Sequence, residues 1–248
     1  MSYLDFKEII KTFTRKIGVV LFIFGIIYLD SDTITENFQN NLSLLNVLSI
    51  IGFIVLYLKS VKRVRNLLIY ALVVAFLGEF FFSIILNMYT YRLDSIPIYV
   101  IFGHPIIYAR VFVFSKSSII KKHHKLIENI LYSFVSLFSL AYLWFFNDVF
   151  GFVMTIGVFA LLIKKKKERV FFLTMYIVVA ILEIIGTKFG CWKWPDVAFG
   201  IFNFLPSNNP PSGISLFYFI LSFGAHNIYI LRHKELGARF KNIRRIHI

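Results

Sequence analysis

The fold class this sequence predicts is an all-α transmembrane bundle of about eight spans, organised as a tandem parallel repeat of four helices. Three observations carry that reading. Of 248 residues, 58% are hydrophobic and only 16% charged. The apolar residues gather into separate runs of helical length, and Lys and Arg cluster between alternate runs. A mean hydropathy of +0.74 is too high for one water-soluble domain of this size.

Taken in order, the chain opens with Leu4, Phe6, Ile9, Ile10 and Phe13 alternating at helical spacing with Lys7, Lys11, Arg15 and Lys16. That pattern predicts an amphipathic helix over residues 1–16, lying on the cytoplasmic membrane surface. Apolar runs then predict helices at 17–29, 42–58, 67–88, 97–114, 127–146, 149–163, 170–188 and 213–231. The run at 17–29 lacks a small-residue cleavage site before the acidic segment at 30–36, so it reads as a span rather than a signal peptide.

The connections alternate in charge. Basic clusters at 7–16, 59–65, 116–125, 164–169 and 232–245 face acidic segments holding Asp30, Asp32, Glu36, Asp94, Asp148 and Asp196. Under the positive-inside rule both termini are cytoplasmic, in a multi-pass protein of the cell inner membrane. The formal charge of +14 is thereby assigned to topology, with membrane lipids and no nucleic acid as partners. The oligomeric state is not legible.

Aligning Arg65 with Arg169 brings Glu79 onto Glu183 without a gap. Each glutamate is followed by an aromatic-x-aromatic pair, Tyr89 and Tyr91 in the first half and Trp192 and Trp194 in the second. Phe102, Gly103 and Tyr108 recur in spacing as Phe223, Gly224 and Tyr229. The implied division is a first repeat over 17–125, a second over 126–231 and a basic cytoplasmic tail over 232–248. An even number of spans per repeat leaves both copies in the same orientation, related about the membrane normal.

A carboxyl in hydrocarbon is stable only if protonated, paired or facing a wet cavity, so Glu79 and Glu183 are the leading catalytic candidates. His104 lies at similar depth on the next helix and is the third, a proton-relay partner for Glu79. Pro105 beside it removes a backbone donor. Tyr89, Tyr91, Trp192, Trp194, Tyr108, Tyr229, His226 and Asn227 are candidate substrate-binding groups. The apolar loop at 197–205 reads as a lid in the interface. A single Cys191 excludes an internal disulfide and a Cys-based zinc or iron–sulfur site; no metal site and no cofactor is expected. His123 and His124 sit among lysines as a solvated basic turn, and no hydrolase elbow, phosphate-cradling loop or zinc motif is present.

The stretch Glu183-x-x-Gly186-Thr187-x-x-Gly190-x-Trp192-x-Trp194 resembles the glutamate, glycine and paired-aromatic pattern of polytopic carotenoid-modifying enzymes, the carotenoid hydratase and lycopene-cyclase-like group. It covers about a dozen residues of the second half. The first half departs from it, ending in Tyr89-Thr90-Tyr91-Arg92. The resemblance implies acid catalysis on an isoprenoid double bond inside the bilayer. Two other functions fit the same residues: a proton-coupled transporter using the glutamates as carriers, and a non-catalytic membrane subunit with its acids paired to partner helices.

Overall fold

Two helices that each carry a buried glutamate toward one end, and the short strands just beyond them, organise the computed structural model, which describes residues 1–35, 41–220 and 223. Helix α1 (Tyr3–Ile17) begins where the Ser2 side chain accepts the Asp5 amide, and it bends by 50° into α2 (Val20–Leu29). Gly18 lies at the bend, where a Cβ would strike the Thr14 carbonyl. Tyr3, Leu4, Phe6, Ile10 and Phe13 stay exposed on α1. A short α3 (Asp32–Thr35) precedes α4 (Asn41–Lys59) and α5 (Lys62–Glu79), which continues as a wide π-helical turn, Phe80–Ile85. Then come α6 (Ile98–Ser115), α7 (Ser118–Lys122), α8 (His124–Phe146), α9 (Val149–Ile163), a 3₁₀ turn at Lys166–Glu168, α10 (Arg169–Lys188) and a helical stretch at 215–220.

Among the described residues, five helical segments are long and apolar enough to cross a membrane: Leu42–Lys59, Lys62–Ile85, Ile98–Ser115, His124–Phe146 and Lys166–Lys188. The bent α1–α2 pair raises the count to six if it forms one span, and α9 is shorter. Most of the predicted 213–231 run, and the tail at 232–248, lie outside the described residues. Burial separates the helices by role. In α10, 72% of the spanning window is buried, against 17% in α4 and in α8. So α10 is the axis of the bundle, while α4 and α8 present Ile51, Val55, Phe134 and Leu137 outward, as lipid contact requires.

At one end of the bundle three arginines close helix C-termini. Arg65 Nε lies 3.0 Å from the Tyr57 carbonyl and 2.7 Å from that of Ser60, at the end of α4. Arg169 Nε lies 3.0 Å from the Leu162 carbonyl at the end of α9, and its Nη1 reaches Glu128 at 3.0 Å. Arg110 spans from α6 to the carbonyls of Arg15 and Lys16, which end α1. Terminal carbonyls have no intrahelical donor and carry partial negative charge, so a guanidinium satisfies both needs.

The opposite end is roofed. Strand β1 (Thr90–Tyr91) pairs antiparallel with β2 (Trp192–Lys193), Thr90 opposite Lys193 and Tyr91 opposite Trp192. A hairpin of β3 (Val197–Ala198) and β4 (Phe202–Pro206) follows, leaving Ile201 and Phe204 exposed. Fully buried Asp148 holds the rest of the roof: its carboxylate accepts the Gly151 amide at the start of α9 (3.1 Å), the Asn208 amide (3.1 Å) and the Ser212 amide (2.7 Å). Buried Asp30 at the end of α2 pairs with Arg92 at 2.6 Å and accepts the Tyr99 hydroxyl at 2.7 Å. Arg92 in turn donates its amide to the Cys191 carbonyl, tying the segment after β1 to the segment before β2.

Candidate functional site

Each glutamate, at the end of α5 or in the last turns of α10, sits in the same kind of socket. Glu79 Oε2 accepts the hydroxyls of Tyr89 (2.6 Å) and Tyr91 (2.5 Å), which flank and form β1. Glu183 Oε2 accepts the indole N–H groups of Trp192 (2.8 Å) and Trp194 (3.1 Å), which occupy the matching places around β2. The β1–β2 pairing therefore holds four aromatic donors over two carboxyls, with Tyr89 against Trp194 at 4.5 Å and Tyr91 against Trp192 at 6.2 Å between ring centroids.

Both carboxyls keep Oε1 for a different neighbour. His104 Nε2 lies 2.6 Å from Glu79 Oε1, and the Tyr218 hydroxyl donates to Glu183 Oε1 at 3.1 Å. The His104 and Tyr218 rings lie face to face, 4.6 Å apart and tilted by 31°. A row of groups in contact thus runs from one acid to the other, with Glu79–His104 and Tyr218–Glu183 joined by hydrogen bonds and His104–Tyr218 by ring contact. With both Oε2 atoms saturated by two donors each, any proton held by either carboxyl sits on Oε1, facing this row. An ionised Glu79 has an imidazole beside it to carry the balancing charge, whereas Glu183 is surrounded by neutral donors. Both glutamates are 4% exposed, and both line one partly open cavity whose remaining walls include Phe82, Val100, Ile214 and Phe217.

Local sequence explains the fit. Gly186, one turn beyond Glu183, is the position where a Cβ would overlap the Trp192 indole, so only glycine leaves room for that ring. Gly190 adopts φ +71°, a left-handed conformation that L side chains rarely take, and turns the chain from α10 into β2. The Trp194 amide donates to Asn209 Oδ1 at 3.0 Å, which fixes the second indole from the roof. Pro105 lies inside α6 next to His104 and supplies no amide for the carbonyl of residue 101.

The cavity thus brings together Glu79, Glu183, His104, Tyr89, Tyr91, Trp192 and Trp194. Tyr108 lies two turns of α6 from Phe102 and lines another cavity, with Phe112, Lys116, Glu168 and Phe171. His226, Asn227 and Tyr229 lie outside the described residues. Tyr218 escaped the sequence reading because a tyrosine in an apolar run carries no polar signature of its own. Asp148 and Asp30 were read as loop acids; an Asp immediately before an apolar helical run is a capping signal that marks the first of them. Cys191 donates its thiol to the Ile27 carbonyl at 3.3 Å, and burial pushes that thiol up to about 12, which makes it a poor nucleophile. No group of three or more His, Cys, Asp or Glu side chains suited to a metal ion occurs among the described residues. The chain matches no protein-family model, no curated protein and no solved structure.

Proposed function

We propose that this is a membrane enzyme that performs acid–base chemistry on a lipid-soluble, isoprenoid-type substrate, with Glu183 as proton donor and the Glu79–His104 pair as acceptor. The observation that carries the reading is the pair of buried carboxyls facing one aromatic-walled cavity with their Oε1 atoms turned toward a shared His104–Tyr218 row. Glu183 Oε1 delivers its proton to one carbon of a carbon–carbon double bond, leaving a carbocation on the other. The π-faces of Trp192, Trp194, Tyr89 and Tyr91 are close enough to stabilise that charge. Loss of a proton from a neighbouring carbon to the Glu79–His104 pair forms a new double bond, and exchange with water through the partly open cavity returns Glu183 and the pair to their starting protonation states. The sequence is redox-neutral and its protons balance.

The same proposal takes the two halves to be a duplication and the eight apolar runs to be spans, with both termini cytoplasmic. Supporting it, Arg65 and Arg169 each close the preceding helix, and each stands fourteen residues before its glutamate. A two-fold axis through the Thr90–Lys193 pair carries Tyr89 onto Trp192 and Tyr91 onto Trp194, which is the register found in β1–β2.

The test is incubation of membranes containing the protein in D₂O with isoprenoid lipids, followed by mass spectrometry for new carbon–deuterium bonds. Deuterium incorporated by the wild type and absent with Glu183→Gln is the expected result; no incorporation by the wild type overturns the enzyme reading. The His104–Tyr218 row also suits a proton carrier, and proton flux into proteoliposomes without deuterated lipid would establish the transporter instead.

A further inference from the structure

We propose that the glutamate cavity continues into an apolar slot between α2, α6 and α10, that a linear hydrocarbon chain fills this slot while its reacting end lies at the glutamates, and that Gly103 sets the slot's width. This deepens the enzyme reading and rests on it for the position of the reacting end.

A second, partly open cavity adjoins the first and shares Val100, His104, Trp192 and Tyr218 with it. The walls beyond that junction are Ile23 and Ile27 on α2, Leu182 on α10, and Tyr99, Gly103 and Ile107 on α6. The three α6 residues are spaced i, i+4, i+8, a single stripe running about 12 Å along the helix. Ile23 and Ile27 form the facing stripe at i, i+4. Apart from the Tyr99 hydroxyl, which is held by Asp30, no polar side chain among the described residues enters the slot beyond the junction, so these walls recognise their occupant by shape and desolvation.

Gly103 stands at the middle of the slot wall on α6. A Cβ added there meets nothing within 4 Å, in contrast to Gly186 and Gly213, where it would collide with neighbours. Helix packing therefore does not require glycine at 103. The open space belongs to the slot, midway along the α6 stripe and one residue from His104. A globular or very short substrate would leave this volume empty; a linear chain fills it and brings its end past His104 and Tyr218 to the glutamates.

The slot is tested by binding, without catalysis. Trp192 and Trp194 line the chamber and Trp144 is 85% exposed on α8, so a Trp144→Phe background restricts tryptophan emission to the site. The probe is methyl parinarate, an eighteen-carbon tetraene that accepts energy from tryptophan, in nanodiscs. Saturable transfer displaced by octadecene and not by hexene is expected. Gly103→Ala should retain it, and Gly103→Leu should weaken it about tenfold, equivalent to about 1.4 kcal/mol. Equal binding by the Leu variant, equal loss in the Ala and Leu variants, or no saturable transfer in the wild type each overturns the slot. Glu183→Gln should bind the probe as the wild type does. Failure of the deuterium experiment with this binding intact removes the chemistry and leaves the slot, and the converse removes only the slot.

Discussion

The Glu79 socket and the Glu183 socket are built to the same plan from different aromatic residues, and the substitution of indoles for phenols changes what each carboxyl is able to do. A phenol hydroxyl donates or accepts, so Tyr89 and Tyr91 are able to adjust if Glu79 changes its protonation state. An indole N–H only donates. Trp192 and Trp194 therefore keep Glu183 Oε2 an acceptor at all times and leave Oε1 as the one atom on which a proton comes and goes. Glu79 has an imidazole at Oε1; Glu183 has a phenol there. Volume is traded in step: three residues after Glu79 stands Phe82, which lines the cavity, and three residues after Glu183 stands Gly186, which makes room for the larger indole.

The comparison breaks most sharply at the carboxyls themselves. Glutamine keeps its oxygen toward the two donors at Oε2 and places its NH₂ at Oε1, copying the protonated carboxyl without its exchangeable acid. Glu183→Gln and Glu79→Gln are each expected to lower deuterium incorporation by about 10²–10⁴-fold while thermal unfolding in detergent stays near wild type. Wild-type activity in either variant removes that glutamate from the chemistry and the asymmetry with it.

The volume trade is the next target. Gly186→Ala should displace the Trp192 ring and destabilise the protein by about 1–3 kcal/mol, with a shift in tryptophan emission. An unchanged emission spectrum would show that the indole has space to spare. Smaller again is the effect of single donors. Tyr89→Phe removes one of two donors at Glu79 Oε2 and should reduce activity about tenfold, the equivalent of about 1.4 kcal/mol. Because phenols readjust and indoles do not, its effect should be weaker than that of Trp192→Phe in the same assay. The reverse order would discard the donor-only account.

The smallest expected effect lies outside the site. The Lys122 ammonium, with the Ser2 hydroxyl, holds the Asp5 carboxyl well below its ordinary value of 3.8 and anchors α1 to the end of α7. A depressed carboxylate contributes its stability in full above that ordinary value and loses it as the pH falls further. Proteolysis within α1 should thus rise only below about pH 4, and Asp5→Asn should show the faster rate already at neutral pH. A rate independent of pH in the wild type would detach this ion pair from the anchoring of α1.

Much of the helical framework was legible because hydropathy and charge report on lipid and on topology directly. The run at 149–163 coincides with α9, and those at 170–188 and 42–58 differ from α10 and α4 by one residue or so at their ends. Glu79, Glu183 and His104 stood out because a titratable group in an apolar run is costly and hence conspicuous. What sequence did not show depends on contacts between distant segments. The two-residue ladder of β1 and β2 has no pattern of its own and exists because two loops meet across the bundle. Tyr218 looks like any aromatic in a span until it is found against Glu183, and the bend between α1 and α2 replaces a helix start expected at residue 17.

The wide turn at Phe80–Ile85 bears on how this chain tolerates insertion and loss. A π-turn accommodates one residue more than the α-helical turn it replaces. Ten residues separate Glu79 from Tyr89, and nine separate Glu183 from Trp192. The surplus residue of the first half is stored as a bulge in the helix rather than passed on to the strand, so the Thr90–Lys193 register is preserved. Substitutions along 80–85 leave that length intact. Loss of one residue there would convert the wide turn to an ordinary α-helical one and leave the nine-residue spacing that already serves Glu183 and Trp192. The segment is thus a length buffer one residue deep, which takes up a difference between the two halves before it reaches the strands.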